Sequence, residues 1–166
     1  MVRPVPEGFH AITPYLIVRD ATRAIEFYRK AFGAVEVMRL EGPGGTTAHA
    51  EIRIADSIIM LGEEMPAMGF RSPQTLGGTP VSLMVYVENC DAFAARAVAA
   101  GIRIKRPIQD QFYGDRSGQF EDPFGHVWTV ATHKEDVSLD EMQRRMAAMN
   151  SGHEESPGRR AQQQQQ

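Results

Sequence analysis

Apolar and polar positions alternate along the chain in a repeating order of elements. After a Pro-rich lead-in over residues 1–10, positions 12–18 are β-branched and aromatic and end at Arg19-Asp20, which predicts a strand. Ala24, Ile25, Tyr28, Ala31 and Phe32 then recur at helical spacing, predicting a helix over 21–32 with Asp20 or Thr22 at its start and Gly33 as its left-handed stop. Strands are predicted at 35–40, 48–54 and 57–61, separated by Glu41-Gly42-Pro43-Gly44-Gly45 and Ala55-Asp56. The first part therefore reads β-α-β-β-β. A Gly- and Pro-punctuated linker covers 62–79, and the order then repeats: strand 81–87, Ala-rich helix 90–100 stopped by Gly101, strand 102–105 ended by Pro107, loop 111–118, strand 119–121, the turn Asp122-Pro123-Phe124-Gly125, and strand 126–132. One constant offset lays Val18 over Val87, Thr13 over Ser82 and Met60 over Thr129, so two copies of one supersecondary unit are expected to share a core.

The expected fold class is α+β: two tandem β-α-β-β-β modules plus a C-terminal helix. Residues 1–135 form the main domain, with modules at about 10–62 and 80–133. The segment 136–150 is read as an amphipathic helix, opened by the capping box Ser138-x-x-Glu141 and carrying Leu139, Met142, Met146 and Met149 on one stripe. Residues 151–166 turn polar, end in a glutamine run, and are expected to be disordered.

Composition narrows the function classes. The 166 residues fit one domain at about 100–200 residues per domain. The single cysteine, Cys90, excludes an intramolecular disulfide framework and a four-cysteine zinc site; capping or packing is its expected role. A net charge of −3 argues against a nucleic-acid partner. The longest apolar runs are strand-length, well below the roughly 20 residues of a membrane span, and the N-terminus lacks a signal-peptide core. A cytoplasmic protein without membrane or nucleic-acid partners is the expectation.

Pro14-Tyr15-Leu16-Ile17-Val18, the helix motif Phe27-Tyr28-x-x-x-Phe32-Gly33, Tyr113-Gly114-Asp115-Arg116, and Glu121-Asp122-Pro123-Phe124-Gly125-His126-Val127-Trp128 together resemble the vicinal oxygen chelate superfamily of glyoxalases, bleomycin-resistance proteins and extradiol dioxygenases. The resemblance spans about residues 10–133. It implies two curved sheets forming an open cup with helices on the outer faces, and frequent homodimers. It also implies that a divalent metal, where present, is held by one residue of the first and one of the last strand of each module. Those slots fall on Thr13, Met60, Ser82 and Thr129, and a one-residue slip in either direction supplies no better donor. Hydroxyls and a thioether do not make the His, carboxylate or thiolate set that a metal requires. The expectation is a metal-free cup that binds a small molecule, with no cofactor.

Strand alternation places Tyr15 and Ile17 with Thr13, Met84 and Tyr86 with Ser82, and His49, Glu51 and Arg53 on the same inward side. His49 and Glu51 read either as a general base or two ligands of a displaced metal site, or as part of a charge ladder with Arg53. The metal reading makes the protein a lyase, isomerase or dioxygenase. Tyr113 and Arg116 are placed in a loop over the mouth. Arg116 either fixes a carboxylate or phosphate of the ligand or pairs with Asp115 or Glu121. Met60 and Met84 read as adaptable lining or as core. Trp128 is expected to face the helices, His126 to bond locally, and His10 and His133 to be solvated. The Met stripe of the tail helix reads as a docking face, for a partner or over the cup.

Overall fold

A computed structural model describes residues 2–151. Strand β1 (Tyr15–Val18) leads into helix α1 (Ala21–Phe32), then β2 (Val35–Glu41), β3 (Thr47–Ile54) and β4 (Ser57–Glu63). A short helix α2 (Pro73–Leu76) lies in the connection. The second module runs β5 (Ser82–Tyr86), α3 (Cys90–Ala100), β6 (Arg103–Asp110), β7 (Asp115–Glu121) and β8 (Val127–His133), and α4 (Leu139–Ser151) closes the described chain. The two sheets have the same order, β1-β4-β3-β2 and β5-β8-β7-β6. In each, the first strand pairs parallel with the last, and the other pairings are antiparallel. The repeat offset survives in the register: Tyr15 lies opposite Met60 as Met84 lies opposite Thr129. The α+β fold of two tandem β-α-β-β-β modules with a C-terminal helix is thus observed.

Both helices start on the side chains that the sequence offers. Asp20 accepts the Arg23 N–H, and Asn89 accepts the Ala92 N–H. Each helix buries its apolar stripe against one face of its own sheet, and the two stripes merge into a single core. Tyr28, Phe32 and Trp128 lie at its centre, with ring centroids 4.8–5.7 Å apart. Trp128 faces the helices, as alternation requires. Arg96 of α3 donates to the carbonyls of Lys30 (2.7 Å) and Arg29 (3.1 Å), so one helix satisfies the orphan acceptors at the end of the other.

The Asp122-Pro123-Phe124-Gly125 turn, between β7 and β8, bonds the second module to the first. The buried Asp122 carboxylate accepts from the Tyr28 hydroxyl (2.5 Å), the Trp128 indole N–H (2.9 Å) and the backbone N–H groups of Phe124 and His126. His126 bonds locally through its backbone, and its ring reaches further. Its Nε2 donates across the module boundary to the Ile17 carbonyl at 2.9 Å, covering the free edge of β1.

Several boundaries differ from the sequence reading. β1 begins at Tyr15, and Thr13 precedes it with its hydroxyl bonded to the His10 carbonyl. β4 continues to Glu63, into the segment read as linker. β6 runs through Pro107, which an edge strand tolerates because no ladder bond is needed on its outer side. β7 begins at Asp115, so Arg116 belongs to a strand and not to a loop. Asn150 and Ser151 continue α4, one residue past the expected helix end. The rest of the expected tail, 152–166, lies outside the described residues. Among the described residues no helix is long and apolar enough to cross a membrane.

The start of α4 rests on an ionic anchor. The Ser138 hydroxyl accepts the Glu141 N–H, and Arg145 grips Glu135 twice (2.8 and 3.0 Å) and the Phe112 carbonyl. Upstream, the His133 ring bonds Asp115 (2.8 Å) and Asp136 (2.9 Å), so it is held and not simply solvated. The bond to Asp115, then that to Asp136, raises the His133 pKa above its ordinary value. A group raised on folding stabilises the fold fully below its unfolded pKa, about 6.5, and loses that contribution as pH climbs through the folded value. We therefore expect His133→Gln to lower the melting temperature more at pH 5.5 than at pH 8.5. Equal shifts at the two pH values would refute this.

Candidate functional site

The open face of the first sheet carries a hydrogen-bonded row. Tyr15, Met60 and Glu51 are direct neighbours across β1, β4 and β3, and His49 stands two residues before Glu51 on the same side. The Tyr15 hydroxyl lies 3.0 Å from His49 Nδ1, and His49 Nε2 lies 3.4 Å from a Glu51 oxygen. Burial raises the Tyr15 pKa, so the phenol stays protonated at neutral pH. Gly62 leaves room for it: a Cβ there would stand 3.0 Å from the Tyr15 hydroxyl oxygen and 3.1 Å from the Ala48 carbonyl oxygen. Arg53 is exposed at the end of the row.

The second module presents a different constellation. Met84 and Tyr86 are exposed, and Tyr86 donates to the buried Asp115 at 2.8 Å. Thr129 lies opposite Gln119 and lines a small cavity of about 170 Å³ with Tyr113, Gln109, Gln111 and Ser117. Arg116 is not part of it. In β7, Asp115 and Ser117 share the face of Gln119, and Arg116 points the other way. There it makes a two-pronged pair with Asp91 of α3 (2.8 and 2.9 Å) and a third bond to Asp110. The expected mouth position, and the expected pairing with Asp115 or Glu121, are both replaced by this helix-side clasp. The Arg116 bond in turn holds Asp91 below the usual carboxylate range.

Among the described residues, a larger and a smaller cleft lie between the modules. The larger, about 480 Å³, is lined by Pro14, Ile58 and Ile59 on one side and Met84, Tyr86 and Trp128 on the other, with His10 and Ser57 as polar members. The smaller, about 270 Å³, is lined by Tyr15 and Ile17 with Val81, Leu83, His126 and Val127. The repeat offset maps Ile58 onto Val127, so the clefts are counterparts at opposite ends of the β1–β5 boundary.

The sequence-predicted lining residues are therefore dispersed. Tyr15, His49, Glu51 and Met60 come together; Met84 and Tyr86 reach the larger cleft; Tyr113 and Thr129 share the small cavity; Ser82 is exposed at the start of β5. Thr13 stands outside β1 and Arg116 is turned away. Sequence reasoning placed Tyr86 on the inward face but missed its acceptor Asp115 and the second partner of that carboxylate, His133. Starting β7 four residues earlier would have placed Asp115 on the face of Gln119. The slot residues Thr13, Met60, Ser82 and Thr129 offer three neutral hydroxyls and a thioether, which does not fit a divalent cation. Among the described residues no three His, Cys, Asp or Glu side chains converge as a metal site.

Tandem β-α-β-β-β modules with open mixed sheets, helices merged on one side and a Glu-Asp-Pro-Phe-Gly-His turn between the last two strands of the second module define a class of paired-module α+β proteins. The model of the Glyoxalase/Bleomycin resistance protein/Dioxygenase superfamily matches residues 8–130, and the chain belongs to that superfamily. It is 43% identical over 145 residues to the uncharacterized protein Mb0911c of Mycobacterium bovis, covering 86% of this chain and 95% of that protein. The uncharacterized protein Rv0887c of Mycobacterium tuberculosis is equally identical, with 86% and 85% covered. Among solved structures, TioX from Micromonospora sp. ML1 is similar at 25% identity and TM-score 0.59, covering 78% of this chain and 100% of that one. The fosfomycin resistance protein FosX of Listeria monocytogenes shares the fold at 20% identity and TM-score 0.57, with 80% and 97% covered.

Proposed function

We propose that the protein binds a small organic molecule, without metal, in the larger cleft between its modules. The observation that carries this reading is the cleft itself. Its volume of about 480 Å³ falls within the roughly 300–1,000 Å³ of small-molecule sites, and its lining is mostly apolar with a few polar groups. Met84 supplies an adaptable wall, and Tyr86 supplies aromatic surface. This chemistry suits an aromatic or amphipathic ligand. The neutral slot residues support the metal-free half of the reading. Superfamily membership supports a homodimer as the working form, and we place that dimer in the cytoplasm.

Titration with 1-anilinonaphthalene-8-sulfonate, followed through Trp128, tests the binding. We expect saturable quenching, weakened at least about tenfold by Met84→Phe, a change of about 1.4 kcal/mol that follows from filling the cleft. Absent saturation, or equal affinity in the variant, would overturn the site. Loading with nickel, zinc, manganese and iron followed by desalting should leave little bound metal; near-stoichiometric retention would overturn the metal-free reading.

A further inference from the structure

We propose that Tyr15, His49 and Glu51 form a metal-independent proton relay that makes the Tyr15 hydroxyl a base-assisted nucleophile toward activated acyl or sulfonyl centres. The relay is separate from the larger cleft and does not depend on whether that cleft binds a ligand.

The order of the three groups sets the direction of the proton. An ionised carboxylate only accepts hydrogen bonds, so His49 Nε2 carries the ring proton and donates toward Glu51. Nδ1 is then left with a lone pair, and the hydroxyl 3.0 Å away is that of Tyr15. A hydroxyl on a neutral imidazole that is itself oriented by a carboxylate is the arrangement that activates a protonated nucleophile. The raised pKa of Tyr15 agrees with this mode: the phenol reacts by giving up its proton as the bond forms, not as a standing phenolate.

Exposure supports the same assignment. The base and the orienting carboxylate are largely covered, with side chains 22% and 15% exposed, while Tyr15 is 47% exposed and open to a reagent. Gly62 keeps the hydroxyl within reach of His49. His49 and Glu51 lie on one strand with their spacing fixed by the pleat, a rigid mount for a base.

With an aryl or alkyl sulfonyl fluoride the step balances as follows. The Tyr15 oxygen forms an S–O bond, the S–F bond breaks and fluoride leaves, and the phenolic proton passes to His49 Nδ1. The positive imidazole faces Glu51. With an activated ester, the oxygen bonds the carbonyl carbon, and the leaving alcohol departs with the proton that His49 received.

Tyr86 is a built-in control. It is 55% exposed and donates to a carboxylate, that of Asp115, with no imidazole as its acceptor. The full chain is treated with phenylmethanesulfonyl fluoride, and adducts at each tyrosine are quantified over time by peptide mass spectrometry. We expect Tyr15 to be modified at least about tenfold faster than Tyr86, a modest share of the effect of a positioned base. His49→Gln should bring Tyr15 down to the Tyr86 rate, with the Tyr86 rate and the circular dichroism spectrum unchanged, and Glu51→Gln should give an intermediate loss. Modification of Tyr15 no faster than Tyr86, or an undiminished Tyr15 rate in His49→Gln, would overturn the relay.

Discussion

Asp122→Ala is expected to cost on the order of 3–5 kcal/mol of folding stability, as removal of one partner from a buried charged network does. Against a total of about 5–15 kcal/mol for an ordinary domain, that is enough to leave the protein marginal. Four donors converge on this one carboxylate: the Tyr28 hydroxyl, the Trp128 indole and two backbone N–H groups of its own turn. Burial, with the charge of Asp122 added, holds the Tyr28 pKa well above its ordinary value, so its hydroxyl remains a donor at any working pH. Asn at this position keeps one oxygen for the turn but sets an amide N–H₂ toward Tyr28 and Trp128, which are donors themselves. Asp122→Asn should therefore fall near the alanine variant. The midpoint of urea unfolding measures this, and a loss under about 1 kcal/mol for either variant would show that the network is not what holds the modules together.

Gly114→Ala is the second large effect. Gly114 has φ +104°, and a Cβ added there would stand 2.1 Å from the Glu135 carbonyl oxygen. The same glycine's carbonyl accepts the N–H groups of Lys134 and Glu135. The substitution must push the 134–136 segment off this seat. It thereby disturbs the His133–Asp136 bond and the Arg145–Glu135 pair that hold α4. We expect a loss of about 2–5 kcal/mol, combining a left-handed backbone cost of about 1–2 with an overpacking cost of about 1–3. Limited proteolysis should cut before α4 sooner than in the parent. A variant within about 0.5 kcal/mol of the parent, as for an ordinary surface change, would contradict this reading of the contact.

The fold was legible because its elements repeat their local chemistry. Asp20 and Asn89 cap corresponding helices, Gly33 and Gly101 stop them, and one offset aligns Met60 with Thr129. What stayed illegible depended on partners distant in the chain. Nothing near Arg116 in sequence names Asp91 as its partner, and a strand start misplaced by a few residues reversed the assumed environment of that guanidinium. His126 looked like a turn residue because its acceptor, Ile17, is over a hundred positions away. The face of His49 and Glu51 followed from alternation alone. Their hydrogen bonding to Tyr15 did not, because it depends on the register of β1 against β4 and on the absent side chain at Gly62.

Pro107 lacks an amide hydrogen, and the register of β6 against β7 shifts just before it, between Ile104 and Arg106, and again across it, between Arg106 and Gln109. A neighbouring molecule that tried to extend the second sheet along β6 would meet a gap in the donor row and a bent template. Fibrillar stacking through that margin is thereby discouraged, and any association between copies through this module is steered toward side-chain surfaces.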